Sequence, residues 1–170
     1  MIYITIPPSS IDYAKRKLKS ISINKDVGVK YLSKFGSEKK RILTGYVGEK
    51  IIMDYLGIKK DSDDYDFDLI SKKGKRLEIK TISCKFKPKK DYFCTVNSHD
   101  LNGVHKQNAD YYIFLRILNN YSSGWILGWI TCDEFFKKGQ FVNKGTDFGP
   151  FKFMKANATI LPISSLNQFT

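Results

Sequence analysis

The sequence predicts a domain of the α/β or α+β class, with a mixed central sheet flanked by helices. Two patterns predict it: a helical stripe of apolar residues over 37–57, and a period of two that begins at Tyr65. The composition is sufficient for a packed core, because 42% of the 170 residues are hydrophobic and 14% are aromatic. Without an internal repeat or a long linker, residues 1–170 are expected to form a single domain.

The N-terminal segment predicts a strand followed by a helix. Residues 1–6 are typical of a short strand, and two prolines end it. Either Ser9 or Ser10 can then cap a helix that runs to about residue 19. The basic residues expected on one face of this helix are Lys15, Arg16 and Lys19.

A second helix is expected from a Ser37 cap to a stop at Gly57. It contains Gly45 and Gly48, each of which lowers helix propensity by about 1 kcal/mol relative to alanine. We therefore expect these two glycines to permit a close approach between the helix and a sheet.

From Tyr65 onward the pattern predicts a β-hairpin. Its strands are expected at 65–70 and 76–83, joined by a loop at 72–74 whose last residue is glycine. In the register that this loop sets, Asp68 lies opposite Glu78.

Downstream of the hairpin the pattern predicts four strands and three short helical segments. The strands are expected at 92–97, 110–118, 125–131 and 158–161, and the helical segments at 98–108, 132–138 and 164–169.

The charge indicates a polyanionic partner, with nucleic acid as the leading candidate. Lys and Arg number 29 against 17 Asp and Glu, a net charge of +12. Because lysine dominates this surplus, a solvated lysine-rich surface stays open as the alternative. The residues expected to contact DNA phosphates are Lys85, Lys87, Lys89, Lys90, Lys39, Lys40 and Arg41.

Several classes of protein are disfavoured. No run approaches the roughly 18 to 20 consecutive apolar residues of a membrane helix, and the N-terminus lacks the pattern of a secretory signal. Cys84, Cys94 and Cys132 form no CxxC pair, so we expect free thiols and a cytoplasmic location, in the host cytoplasm if the chain is phage-encoded. The sequence contains neither GxxxxGK[ST] nor GxGxxG, which argues against a nucleotide cofactor.

The hairpin carries the residues that could bind a metal or take part in catalysis. Asp68 and Glu78 on paired positions would repel unless a cation or a shared proton lies between them. Oxygen ligands without nearby Cys or His favour Mg²⁺ or Mn²⁺. Lys80, on the same face as Glu78, could orient or deprotonate an attacking water or neutralise charge on a phosphate.

Asp68 is followed by Glu78-Ile79-Lys80 and preceded by a helix that bears Glu49. This arrangement resembles a bacterial or phage-type member of the PD-(D/E)XK nuclease superfamily, which has the restriction-endonuclease-like fold. The resemblance implies that Asp68, Glu78 and the Ile79 carbonyl bind the metal, and that Glu49 completes the site. It also implies that Lys80 assists the nucleophilic water.

The resemblance covers about residues 37–118, and Gln107 is similar to an accessory glutamine in one branch of the superfamily. Phe67 stands where many members have a proline before the aspartate. The strands after Trp125 match no branch, which leaves the substrate open.

The expected activity is that of a Mg²⁺-dependent phosphodiesterase, a DNA nuclease that cuts endonucleolytically. A catalytically silent DNA-binding module on the same fold is the alternative, and an exonuclease or a junction-resolving enzyme also stays open. All the acidic residues and the lysine of the motif are present, which favours the enzyme over the silent module. A homodimer, in which two sites could cut two strands, stays open as well.

Overall fold

The structure is a computed structural model that describes residues 1–23, 36–58, 67–97, 108–147 and 156–169. It is a mixed structure of helices and strands, which confirms the predicted fold class. In chain order its elements are β1 (Ile2–Thr5), α1 (Pro8–Ile23), α2 (Gly36–Leu56), β2 (Leu69–Ile70), β3 (Arg76–Cys84), β4 (Phe93–Asn97), β5 (Tyr111–Leu118), β6 (Ser123–Thr131), α3 (Cys132–Lys138), β7 (Gln140–Val142) and β8 (Ala158–Pro162).

Most predicted elements are confirmed within about two residues. Helix α1 ends about four residues later than predicted, and the described part of the predicted strand 65–70 is a strand only at Leu69–Ile70. The helical turn expected at 164–169 is a 3₁₀ turn at Ile163–Ser165 instead. The sequence pattern does not predict β7, because three residues are too few to establish a period. Residues 98–107, which make up most of another predicted helix, lie outside the described residues.

The strands form two sheets. The larger is a five-stranded mixed sheet in the order β1-β6-β5-β3-β2. Within it β3 and β5 run parallel, and the other neighbouring pairs are antiparallel. Strands β4, β8 and β7 form a separate antiparallel sheet.

Side chains alternate along β5 between two apolar cores. Ile113, Leu115 and Ile117 pack in the core that includes α1 and α2, whereas Tyr112 and Phe114 pack in the core that includes β4, β8 and α3. The six side chains of β5 between its two end residues are buried. Strand β5 therefore contributes buried side chains to both cores.

Helix α1 does not begin with the predicted serine cap. It begins at Pro8, before both Ser9 and Ser10, and it continues to Ile23, beyond the predicted end. Proline suits the first helical position because its missing N–H would have no partner there. The Ser10 hydroxyl is instead buried without a hydrogen-bond partner among the described residues.

Helix α2 ends as the sequence predicts. Gly57 follows its last residue with a φ of 63°, the left-handed conformation that glycine adopts readily. The helix begins at Gly36, one residue before the predicted Ser37 cap.

Gly48 lets α2 approach β3 closely. A Cβ atom on Gly48 would lie 1.8 Å from Oγ1 of Thr81 on β3, so only glycine fits without movement. The expectation is wrong for Gly45, where a Cβ atom would meet nothing within 4 Å. The contact at Gly48 places the next residue, Glu49, beside the hairpin.

Within these described ranges, no helix has both the length and the apolar composition needed to span a membrane.

Two matched substitutions in α2 test this packing. Gly48→Ala should lower the free energy of unfolding by about 1 to 3 kcal/mol, because the added methyl group overpacks the contact with Thr81. Gly45→Ala should raise it by about 0.5 to 1 kcal/mol, since alanine is the better helix former and space is free there. Urea unfolding monitored by circular dichroism measures both, and equal effects of the two substitutions would contradict the proposed role of Gly48.

Candidate active site

The β2–β3 hairpin has the register expected from its loop. Leu69 pairs with Leu77 and Ile70 with Arg76, and Gly74 closes the loop with a φ of 73°. Strand β2 is only two residues long, so Asp68 lies just before it. Extending the observed register by one residue puts Asp68 opposite Glu78.

The backbone of β3 holds Asp68 in place. The Asp68 amide donates to the Leu77 carbonyl at 3.0 Å, and its Oδ2 accepts a hydrogen bond from the Ile79 amide at 2.7 Å. The Ile79 side chain is buried in the core on the helical side of the sheet. The half-buried Asp68 carboxyl is thus fixed against the strand that carries Glu78 and Lys80.

Glu78 and Lys80 lie on the same face of β3, as strand alternation predicts. Lys80 Nζ donates to Glu78 Oε1 at 2.6 Å, and it lies 5.9 Å from the centroid of the Tyr112 ring. Glu78 is only 8% exposed, so this ion pair is well shielded from water.

Glu49 enters the same region from α2. It is 6% exposed, and its Oε2 accepts a hydrogen bond from Lys17 Nζ on α1 at 2.8 Å. The Lys17 ammonium also lies 4.8 Å from the centroid of the Tyr46 ring. A buried carboxylate normally needs such a partner, because desolvation disfavours its charged form.

Sequence reasoning missed Lys17. The signal that could have found it is helical spacing, because Lys17 follows the fully buried Ala14 by three residues and so shares its inward face. The pairing itself depends on how α1 packs on α2, which local patterns do not specify.

The two other acids act on the electrostatics of Asp68. Burial is the largest cause that raises the pKa of Asp68, and the charges of Glu78 and then Glu49 raise it further, from 3.8 to about 8. The Ile79 amide and the Lys80 ammonium oppose this rise. At neutral pH Asp68 therefore favours its protonated form, and three acids are balanced by two ammonium groups and one proton.

The donor chemistry fits a hard divalent cation, although the described side chains are not yet arranged around one. All the donors are oxygens, and the raised pKa of Asp68 reports a local excess of negative charge. Among the described residues, no group of three or more His, Cys, Asp and Glu side chains is positioned to hold a metal. A cation would have to compete with Lys17 for Glu49 and with Lys80 for Glu78.

The predicted DNA-contacting residues lie in two exposed groups. Lys85, Lys87, Lys89 and Lys90 are exposed on the segment between β3 and β4. The second group, exposed near the start of α2, comprises Lys39, Lys40 and Arg41. Gln107 lies outside the described residues. The structure therefore brings together the acidic residues and Lys80, and it keeps the described residues predicted to contact DNA at the surface.

An ion pair outside this cluster fixes the start of the parallel β3–β5 pairing. Arg76 on β3 donates from Nη2 to Asp110 Oδ1 at 3.0 Å and from its backbone amide to Oδ2 at 2.8 Å. These bonds lower the pKa of Asp110 to about 2. Asp110 thus stays ionised at neutral pH, in contrast to Asp68.

No protein-family model matches this chain, and no curated protein matches its sequence.

The pH dependence of stability should report the proton on Asp68. Folding raises the pKa of Asp68 from 3.8 to about 8. Between these two pH values the folded state therefore keeps a proton on Asp68 that the unfolded state has lost. The free energy of unfolding should therefore fall as pH rises through this window. Asp68→Asn keeps an oxygen acceptor for the Ile79 amide, and it should remove this fall in the free energy of unfolding. Above about pH 8 its free energy of unfolding should exceed that of wild type by more than about 1.4 kcal/mol, which corresponds to a tenfold change in the protonation equilibrium.

Urea unfolding from about pH 2 to above about pH 8 covers the windows of both acids and makes the measurement. Asp110→Asn is the matched control with the opposite sign: the lowered pKa of Asp110 stabilises the fold above its ordinary value of 3.8, and this stabilisation is lost as pH falls towards 2. The same pH slope in wild type and Asp68→Asn would show that Asp68 is not protonated at neutral pH.

Proposed function

We propose that this chain is a metal-dependent DNA nuclease of the PD-(D/E)XK type, which hydrolyses phosphodiester bonds and cuts endonucleolytically in the cytoplasm. The observation that carries the proposal is the hairpin on which Asp68 and Glu78 lie together, with Lys80 bonded to Glu78 at 2.6 Å. Glu49 adds a third carboxylate from α2.

The acidic residues and the Ile79 carbonyl would hold the cation, for which Mg²⁺ or Mn²⁺ fits the oxygen donors. A hard divalent cation supplies Lewis acidity and lowers the pKa of water. Asp68 has to lose its proton to act as a ligand, so activity should rise with pH up to about 8.

Lys80 is suited to act on the water and the phosphate. Once Glu78 turns away from it, its ammonium group is free to orient a water or to neutralise charge that develops on a phosphate oxygen. The Tyr112 ring beside it limits the positions that the ammonium can take.

DNA is the proposed substrate because of charge. The net charge of +12 favours a polyanion, and the exposed lysines between β3 and β4 follow directly after the strand that bears Glu78 and Lys80. Contacts of this kind bind phosphates and position the duplex without reading bases.

A catalytically silent DNA-binding module is the second candidate. It is favoured by the ion pairs that engage Glu49 and Glu78, and by the lack of a ready group of metal ligands in the described part of the chain. The two candidates differ in one outcome, which is cleavage.

Cleavage of supercoiled, linear and single-stranded DNA in Mg²⁺ or in EDTA tests the proposal. Wild type should convert supercoiled circles to nicked or linear DNA in Mg²⁺ and not in EDTA. Asp68→Ala and Glu78→Ala should each slow cleavage by more than about 100-fold, since losing even an outer partner of a metal ligand costs about 10- to 100-fold. Asp54→Ala, which removes an exposed acidic residue paired with Lys50 on α2, is the control and should retain cleavage.

A wild-type chain that binds DNA in every condition without cutting it would favour the silent module. If Asp68→Ala cut as fast as wild type, the site assignment would be wrong.

The salt dependence of DNA binding separates the basic surface from the acidic site. On duplex DNA in EDTA, the log–log slope of affinity against salt should be about −0.9 per phosphate contacted. Lys87→Ala combined with Lys89→Ala should flatten that slope by up to about two units. Lys137→Ala combined with Lys144→Ala removes the same charge from exposed positions elsewhere and is the control. Equal slopes for the two double variants would mean that the lysine surplus acts only as generic charge.

A further inference from the structure

The segment between β3 and β4 carries an apolar ring as well as lysines. Phe86 is 77% exposed, more than any other large hydrophobic side chain among the described residues. Its neighbours Lys85 and Lys87 are both exposed. The ring lies among four lysines, and contact with a ligand would remove its apolar surface from water, which is favourable.

Backbone hydrogen bonds hold this segment near both of its ends. The Asn119 amide donates to the Cys84 carbonyl at 3.0 Å, and the Ser164 amide donates to the Lys90 carbonyl at 2.9 Å. Between these anchors Pro88 is buried. A ring presented from a fixed backbone loses little conformational freedom on binding, which makes it an efficient contact.

Phe86 lies close to the candidate active site along the chain. It follows the last residue of β3 by two positions and Lys80 by six. Because a strand advances about 3.3 Å per residue, the backbones of Lys80 and Phe86 are at most about 20 Å apart, a distance that a short stretch of DNA can span. A DNA strand that reaches Lys80 can therefore also reach Phe86.

The combination of ring and lysines favours one kind of ligand. Aromatic side chains within positively charged grooves stack on unpaired bases while the lysines follow the phosphates. In a duplex each base already stacks on its neighbours, so an exposed ring gains no equivalent contact there. An acidic protein surface would complement the lysines but would not supply flat apolar faces for the ring.

We propose that Phe86 is a stacking platform for an unpaired base, and that the DNA acted on contains single-stranded or branched regions. The choice of DNA rests on the proposed nuclease function. The stacking role rests on the exposure and the anchoring of Phe86.

Equilibrium binding of the full chain in EDTA tests the proposal without cleavage. Affinities for a single-stranded oligonucleotide and for a blunt duplex are measured by fluorescence anisotropy. Phe86→Ala should weaken single-strand binding by roughly 5- to 100-fold, the range found for loss of one stacking contact, and should change duplex binding by less than about 2-fold. The salt slope should not change, because no charge is removed.

Three controls accompany this substitution. Phe86→Trp should restore single-strand binding, since the larger ring stacks at least as well. Phe141→Ala makes the same change at a 41% exposed phenylalanine on β7, and it should leave both affinities unchanged. A 2-aminopurine base in the single strand should change its fluorescence on binding wild type and not on binding Phe86→Ala.

The proposal would be overturned if Phe86→Ala bound single strands like wild type, or if it weakened duplex binding to the same extent. It would also be overturned if wild type bound neither DNA, or bound RNA of the same sequence more tightly than single-stranded DNA. The nuclease proposal is judged separately by the cleavage assay on Asp68→Ala. If Phe86→Ala lost single-strand binding, the stacking role of Phe86 would be supported. If Asp68→Ala still cut DNA in the same set of experiments, the assignment of the active site would be refuted.

Discussion

Asp68, Glu78 and Glu49 bring three acidic groups together in a shielded region, where water weakens their repulsion far less than at the surface. Each acid is compensated by a different group. Lys17 on α1 pairs with Glu49, Lys80 on β3 pairs with Glu78, and a proton neutralises Asp68. Because the compensating groups come from separate elements, this cluster links α1, α2 and the hairpin. A buried acid without such a partner would either lose its charge or destabilise the fold.

The scaffold makes this concentration of charge possible through two close contacts. Gly48 allows α2 to pack on Thr81, which brings the adjacent Glu49 to the hairpin. Arg76 and Asp110 hold the start of β3 against β5, so the strand that carries Glu78 and Lys80 is fixed on one side by eight paired positions. The acidic groups therefore lie on rigid backbone, as the proposed metal site requires.

The distribution of charge suits the proposed approach of DNA. Described lysines outside the cluster are exposed, except for the half-buried Lys50, whereas Lys17 and Lys80 pair with the acids Glu49 and Glu78. A phosphate that comes near the hairpin would thus meet little net negative charge, since Asp68 favours its protonated form at neutral pH. The same balance makes a divalent cation compete with two lysines and a proton for the carboxylates, which couples cation binding to pH.

Local sequence patterns were sufficient to predict the hairpin and most of the other elements. The glycine in its loop set the register, strand alternation put Glu78 and Lys80 on one face, and Gly57 marked the end of α2. These features depend on interactions between residues that are near one another in sequence, so the sequence by itself determined them.

Only the tertiary structure decided which distant groups meet. The pairing of Lys17 with Glu49, the separation of β4, β7 and β8 into a second sheet, and the different roles of Gly45 and Gly48 all depend on how elements pack. The raised pKa of Asp68 belongs with them, because its largest cause is burial, and burial is a property of the assembled fold. A sequence pattern records which side chains could be charged, whereas their distances and their access to water exist only once the chain has folded.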